Sequence, residues 1–448
     1  MLKDLLKPEI EELIKQKDWR SLKQVLSNWP SPDTADLLES FEQEDMVIVF
    51  RLLPQQLAAD VFSELDVDKQ TILLQQISNE RIRDIISELA PDDRTELFEE
   101  LPGKITRQLL NLLSPEDRKK TLLLLGYPED SVGRLMTPDY VAIRANWTIS
   151  EALSHIRKHG RDAETINMVY VVDENWHLID DIPLRRLILA DPQQQVESIM
   201  DKRFIAISAS EDQEQGINMI EQYNLVALPV IDSENALLGI VTVDDILDVL
   251  EDEVTEDVHK GAGVAPLDMG YSAVSAWHLY HKRIVWLLLL AFAGFLSGNV
   301  IAAFEETIGT IIALAFFIPV LIDTGGNTGT QSATLIIRAI ATGDLTLKKW
   351  FNVMKKELLV GILLGASLGI VLYLWSYFWK GNSEISLVVG ISVVAIALCA
   401  NLVGSLLPIV LTKLKLDPAI VSSPLITTIM DVTGLLIYFS IAIWLLKG

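Results

Sequence analysis

SSPLITTIMDVTGLLIYFSIAIWLL, residues 422–446, decides how the C-terminal part of this chain is read. The stretch carries one charged side chain, Asp431, and is longer than the roughly 20 apolar residues a helix needs to cross a bilayer. A carboxylate inside such a segment costs about 2.5–3.5 kcal/mol on insertion scales, so it faces water, a cation or a partner rather than lipid. A helix that starts near Val421 and rises about 1.5 Å per residue carries Asp431 about 15 Å in, close to the midplane. The stretch predicts a membrane helix with a cation site.

Four more apolar spans precede it, approximately Ile284 to Phe304, Ile308 to Ile340, Leu358 to Phe378 and Ile385 to Leu411, and the last runs from Val421 to Leu446. Lys282, Arg283, Arg338, Lys348, Lys349, Lys355, Lys356, Lys413 and Lys415 fall on one side of these spans, against Lys380 and Lys447 on the other. The asymmetry predicts a multi-pass protein of the plasma or inner membrane, with the N-terminal half cytoplasmic and the C-terminus outside. Residues 1–280 hold 26 Lys+Arg and 53 Asp+Glu, net −27, and residues 281–448 hold 11 and 8, net +3, which together give the −24 of the chain. An acidic half of this kind disfavours nucleic acid and favours multivalent cations or basic proteins. The one cysteine, Cys399, lies in an apolar span, so no intrachain disulfide forms.

The acidic half has two textures. Up to about residue 126 it is a run of short helices opened by Pro, Ser and acids, as in APDDRTELFEELP (90–102) and SPEDRKKTLLLLG (114–126), a pattern that predicts a helical repeat without catalytic residues. Residues 137–255 alternate strands with helices, and they do so twice. Met136 matches Met200 and Ala142-Ile143 matches Ala206-Ile207 at an offset of 64, while Val171-Val172-Asp173 matches Val230-Ile231-Asp232 at 59. This internal repeat resembles a tandem CBS module, a regulatory unit that often binds adenine nucleotide between its copies. The resemblance implies a nucleotide motif of a small residue, Ser/Thr and Asp. The second copy keeps it as Gly239, Thr242 and Asp245, whereas the first has Asp180, Pro183 and Arg186 in those places, so one ATP site is implied at most.

Acid then accumulates toward the first span. No Lys or Arg occurs from Phe204 through His259, while Asp244, Asp245, Asp248, Glu251, Asp252, Glu253, Glu256 and Asp257 crowd the segment, and on one helix Asp244 repels Asp248, Asp248 repels Asp252 and Asp252 repels Glu256 at i,i+4 spacing. Divalent cations relieve that repulsion. The second span carries FFIPVLIDTGGNTGTQSATLIIRAI (316–340), where Pro319 interrupts the helix and Asp323, Thr324, Asn327, Thr328, Thr330, Gln331 and Ser332 are polar at membrane depth. Such residues line a pore or a helix interface, and their oxygen-rich chemistry suits a hard cation.

The whole chain resembles the MgtE family of magnesium channels, most specifically in PVLIDTGGNTGTQSATLIIRA, NLVGSLLPIVL and DPAIVSSPLITTIMDVTGLLIYF. The resemblance implies a multidomain protein. Residues 1–130 form an all-α helical-repeat N-terminal domain, 131–200 and 201–255 the two α/β CBS copies, 256–280 an acidic connecting helix, and 281–448 a five-helix transmembrane domain. It implies a homodimer with its pore at the subunit interface, Asp431 at the selectivity site and Asn327 nearby. It further implies that Asp92, Asp93, Asp245, Asp248, Asp252, Glu256 and Asp257 bind cytoplasmic Mg2+ and hold the gate shut. Asp323 departs from the family, where a small residue is expected, and adds a possible second pore charge. Two other readings stay open: a carrier of another divalent ion such as manganese or cobalt, or an exporter; and an intramembrane aspartyl protease, because Asp323-Thr324-Gly325 matches an Asp-Thr-Gly triplet with Asp431 as its second carboxylate.

Overall fold

The computed structural model describes residues 2–101, 103–267, 271, 274–305, 312–342, 344–345 and 350–446. Lys348, Lys349 and Lys447, used above for orientation, lie outside the described residues. The chain divides into two compact units, Met1–Glu253 and Val254–Gly448.

The first unit opens with short helices from α1 (Leu2–Gln16) to α10 (Pro115–Leu124). Their sequence explains their starts. At α10, Ser114 Oγ accepts from Asp117 N at 3.1 Å, Pro115 takes the first turn where its missing N–H is harmless, and Glu116 and Asp117 meet the positive end of the helix dipole. In α8 (Pro91–Glu100) the same logic puts Pro91, Asp92 and Asp93 in the first turn. Each helix buries a narrow apolar stripe, and Phe50, Phe62, Leu73, Ile85 and Leu97 join one continuous core.

Two equivalent α/β copies follow. In the first, β1 (Ala142–Ile143) pairs parallel with β2 (Met168–Val172), which pairs antiparallel with β3 (Leu178–Pro183). In the second, β4 (Ile207–Ser208), β5 (Ala227–Ile231) and β6 (Leu237–Thr242) repeat that order and sense. The repeat offsets reappear as register: Ile143 pairs with Val171 as Ile207 pairs with Val230. Helices α11 (Val132–Leu135), α12 (Ile149–His159), α13 (Leu184–Leu189) and α14 (Gln213–Tyr223) accompany the strands, and α15 (Val243–Gly261) continues directly from β6.

The second unit contains five helical segments long and apolar enough to cross a membrane: α16 (Ala276–Ala303), the stretch Ile312–Ala341, α18 (Trp350–Lys380), α19 (Ser383–Lys413) and α20 (Ser423–Leu446). The second begins as a 3-10 turn over Ile312–Phe317 and becomes α17 (Ile318–Ala341). Pro319 therefore does not sit inside a continuous α-helix; it occupies the first turn of one, at the 3-10 to α transition, where a residue without an N–H is tolerated. Helix α19 is the scaffold, with Val388, Val393, Ile396 and Ala400 fully buried, while α16 contributes no buried residue.

Candidate functional site

The polar segment of the second span divides between two faces of α17. Asp323, Asn327, Gln331 and Thr334 are exposed, whereas Gly325, Gly326, Gly329 and Ser332 are buried. Steps of four, four and three residues place the exposed set on one stripe of the helix. Lipid does not accept such a stripe, so it faces water or another protein surface. Asn327 Nδ2 donates to Asp323 Oδ2 at 3.0 Å, which ties the first two rungs together.

The glycine face receives α20. A Cβ on Gly325 would stand 3.6 Å from Met430 Cβ, one on Gly326 3.0 Å from Thr427 Cγ2, and one on Gly329 2.7 Å from Ile426 Cγ2. Rising numbers on α17 meet falling numbers on α20, so the two helices run antiparallel. Asp431 follows Met430, and Asp323 lies two residues, about 3 Å, beyond Gly325 in the same direction, so the two carboxylates share one depth. Asp431 is half-buried, and its Oδ1 is buried without a hydrogen-bond partner among the described residues. An unsatisfied buried carboxylate oxygen is costly unless a cation, water or a second subunit supplies the missing contact.

At the far end of α17 the C-terminal turns of α15 close a cavity of 380 Å³. Val254, Asp257, Val258 and Ala262 face Thr330, Thr334, Ile337 and Arg338 of α17 across it. Lys260 pins α15 there, with its Nζ 2.5 Å from Glu256 Oε1 and 2.7 Å from Asp417 Oδ2. Burial alone would lower the lysine pKa, but the Asp417 and Glu256 carboxylates outweigh it and hold the value above that of an ordinary lysine. Glu256 is thus engaged by an internal cation. Asp257 keeps much of its surface exposed but lines the cavity, and partial burial of its carboxyl there, with Asp417 next, raises its pKa.

In the first unit the acids of α8 meet those of α15. Asp92 is buried, its Oδ1 has no hydrogen-bond partner among the described residues, and its pKa rises through burial first and then through Asp245, Asp93 and Glu164. Asp93 is pushed up to about 7 by burial and by Asp245, Glu164, Glu64 and Asp244. Asp245 and Asp248 are likewise raised, burial leading in both, and Asp252 is raised by burial and by Glu251. Among the described residues no three His, Cys, Asp or Glu side chains converge into a ready-made metal cage. Magnesium does not demand one, because it keeps several of its waters and is held through one or two carboxylates. The structure therefore gathers Asp92, Asp93 and Asp245, which the sequence separates by some 150 residues, and leaves Asp248 and Asp252 on the exposed side of α15.

The nucleotide motif of the second copy has local explanations. Thr242 Oγ1 donates to Asp245 Oδ2 at 2.5 Å and Thr242 N to the same oxygen at 3.2 Å, which caps α15. A Cβ on Gly239 would stand 2.6 Å from Thr137 O, so the glycine admits a neighbouring backbone. In the first copy Asp180 is fully buried and accepts from the backbone N–H of Asp181, Asp201 and Lys202 at 3.0, 2.9 and 3.1 Å. That departure is a structural anchor.

One polar group escaped the sequence reading. Glu357 stands one residue before the third apolar span, where it reads as loop, yet Asn401 and Ser332 both donate to it. The signal available in the sequence was Asn401, a polar residue stranded in an apolar run.

Known proteins share this architecture. A family model described as a divalent cation transporter matches residues 318–441, the MgtE intracellular N domain matches 29–130, and the CBS domain matches twice, at 132–192 and 196–252. Over 325 residues the chain is 47% identical to a Thermus thermophilus protein named magnesium transporter MgtE, with 72% of each chain covered. A Bacillus subtilis protein of the same name is 39% identical over 324 residues, covering 72% of this chain and 71% of that one. A crystal structure of the cytosolic domain of the Mg2+ channel MgtE in complex with ATP aligns with a TM-score of 0.53 at 37% identity, over 55% of this chain and 100% of that one. With five apolar helices, a CBS pair and a helical N-terminal domain in the matching order, the chain belongs to the MgtE family of divalent cation transporters.

Proposed function

We propose that this chain forms a magnesium channel in the cell membrane, working as a homodimer, and that cytoplasmic Mg2+ closes it. The observation that carries the reading is Asp431, a half-buried membrane carboxylate with an unpartnered oxygen, at the depth where α17 turns a polar stripe outward. Relatives named magnesium transporters supply the cargo. A single chain leaves that stripe exposed, and a twofold partner both covers it and brings a second Asp431 across the axis. Two carboxylates so placed hold a hydrated Mg2+ through its own waters, which suits an ion reluctant to shed them. The oxygen-only lining also fits manganese, so Asp323 bears on the choice of metal.

Closure follows from linkage. The acids of α8 and α15 repel when bare, and Mg2+ between Asp92, Asp93 and Asp245 stabilises their close packing by its affinity difference between packed and separated states. Asp248, Asp252, Glu256 and Asp257 extend the same field along α15, whose end covers the cavity beside α17. The loop charges orient the acidic half toward the cytoplasm. The cytosolic domain of a relative crystallised with ATP supports ATP as a ligand of the second CBS copy, at Thr242 and Asp245. The test is Mg2+ uptake into liposomes containing the full chain or Asp431→Ala. The variant is expected to lose about tenfold or more of the flux, and undiminished uptake overturns the reading.

A further inference from the structure

Behind the polar stripe lies a charged group with no part in the account so far. Glu357, in the second turn of α18, is half-buried, and its Oε2 accepts from Asn401 Nδ2 of α19 at 2.7 Å and from Ser332 Oγ of α17 at 3.1 Å. Asn401 Nδ2 also reaches the Glu357 carbonyl at 2.7 Å, and Ser332 Oγ lies 3.1 Å from the Asn401 carbonyl. One carboxylate thus joins three membrane helices. Ser332 and Asn401 are themselves 2% and 3% exposed, so neither has water as an alternative partner.

The knot sits one turn from close helix contacts on two sides. A Cβ on Gly404 would collide with Gly329 O, and one on Gly361 would stand 3.3 Å from Asn401 Cβ. With the helices this close, α17 has little freedom to slide, and rotation about its own axis is the degree of freedom left to fix. Ser332 follows Asp323 by nine residues, which at about 100° per residue puts it on the opposite side of α17. Holding Ser332 against Glu357 therefore aims Asp323 and Asn327 away from the scaffold and along the stripe.

We propose that Glu357 is a positioning residue for ion selection: through Ser332 and Asn401 it sets the rotation of α17 and so the placement of the polar rungs. This rests on the reading of the stripe as part of the ion path. A carboxylate suits the task because it only accepts, and both neighbours present donors. Glu357→Gln keeps one acceptor oxygen in place, while Glu357→Ala removes the acceptor shared by α17 and α19 and leaves Ser332 only the Asn401 carbonyl and Asn401 only the backbone carbonyl of residue 357.

The experiment compares full-length wild type, Glu357→Gln, Glu357→Ala and Ser332→Ala in liposomes, reading the Ca2+ to Mg2+ uptake ratio. The ratio is expected to rise about threefold or more in both alanine variants and to stay within about twofold of wild type in Glu357→Gln. Ser332→Ala deletes one hydroxyl and carries the test if Glu357→Ala fails to fold. Unchanged ratios with reduced total flux mean packing alone and overturn the proposal. So does a glutamine variant that shifts as far as alanine, since charge and not hydrogen bonding would then be at work.

A second readout separates this claim from the ion-path reading. In a Cys399→Ala background, Gln331→Cys is labelled with a polar thiol reagent, and Glu357→Ala is expected to change its labelling rate about threefold or more. If Asp431→Ala leaves Mg2+ uptake intact, the ion-path reading fails, and the labelling rate alone decides whether Glu357 sets the rotation. An unchanged rate overturns it.

Discussion

Asp431 and Asp323 show how differently two carboxylates of one depth are held. Asp431 is half-buried with an orphaned oxygen, while Asp323 is exposed and bound by the amide of Asn327. Asp431 was legible in the sequence because it is alone in an apolar run. Asp323 was legible as a departure, but its hydrogen bond needed the i,i+4 geometry of a continuous helix. In the proposed dimer Asp323 raises the count of carboxylates at that depth from two to four, and a higher charge favours ions that dehydrate more readily than magnesium. Asp323→Gly is expected to lower the uptake of manganese relative to magnesium by about threefold, read by competition in liposomes. An unchanged ratio removes Asp323 from the ion path. Glu357 was not legible in the same way, because its role depends on two residues 25 and 44 positions away.

At the scale of elements, α17 and α15 carry the account. The sequence placed a helix-breaking proline inside the second span, and the structure puts Pro319 at the start of α17, because the preceding turn is 3-10 and the α-helix begins only at Ile318. The polar segment behind it is unbroken helix, so its polarity is presented as a stripe and not as loop carbonyls. Helix α15 was legible as acidic and self-repelling, yet the cation that steadies its end is its own Lys260, shared between Glu256 and Asp417. That pair contributes to seating α15 beside α17 in the absence of metal. Lys260→Gln is expected to raise the internal Mg2+ needed for half-closure about threefold, the effect of a partly exposed ion pair worth about 0.7 kcal/mol. A fall in the Mg2+ required contradicts the lysine's seating role.

At the scale of the molecule, the repeat was legible because its offsets survive as strand register, and the five spans because apolar length is explicit in the chain. The meeting of Asp92 and Asp93 with Asp245 was not, since tertiary packing and not sequence spacing brings α8 to α15. That meeting has a pH consequence. Asp93 rises from its ordinary value of 3.8 to about 7 when docked, so between those values the docked form holds a proton that the separated form has lost. With divalent ions chelated, docking is strongest below about pH 4 and weakens as pH climbs through 7. Protease susceptibility of the helical domain in the full chain should therefore increase from pH 5 to pH 8 in chelator, as an expected outcome of roughly severalfold, and a flat profile contradicts the burial assigned to Asp93.

In the proposed channel, acids in one half of the chain decide when the carboxylates of the other half pass magnesium. Mg2+ flux through the full chain in liposomes, followed as Mg2+ is raised on the side of the acidic half, tests it most directly. Flux is expected to fall as that concentration rises, and Asp92→Asn with Asp93→Asn is expected to shift the fall to higher Mg2+. Flux indifferent to Mg2+ on that side would contradict it.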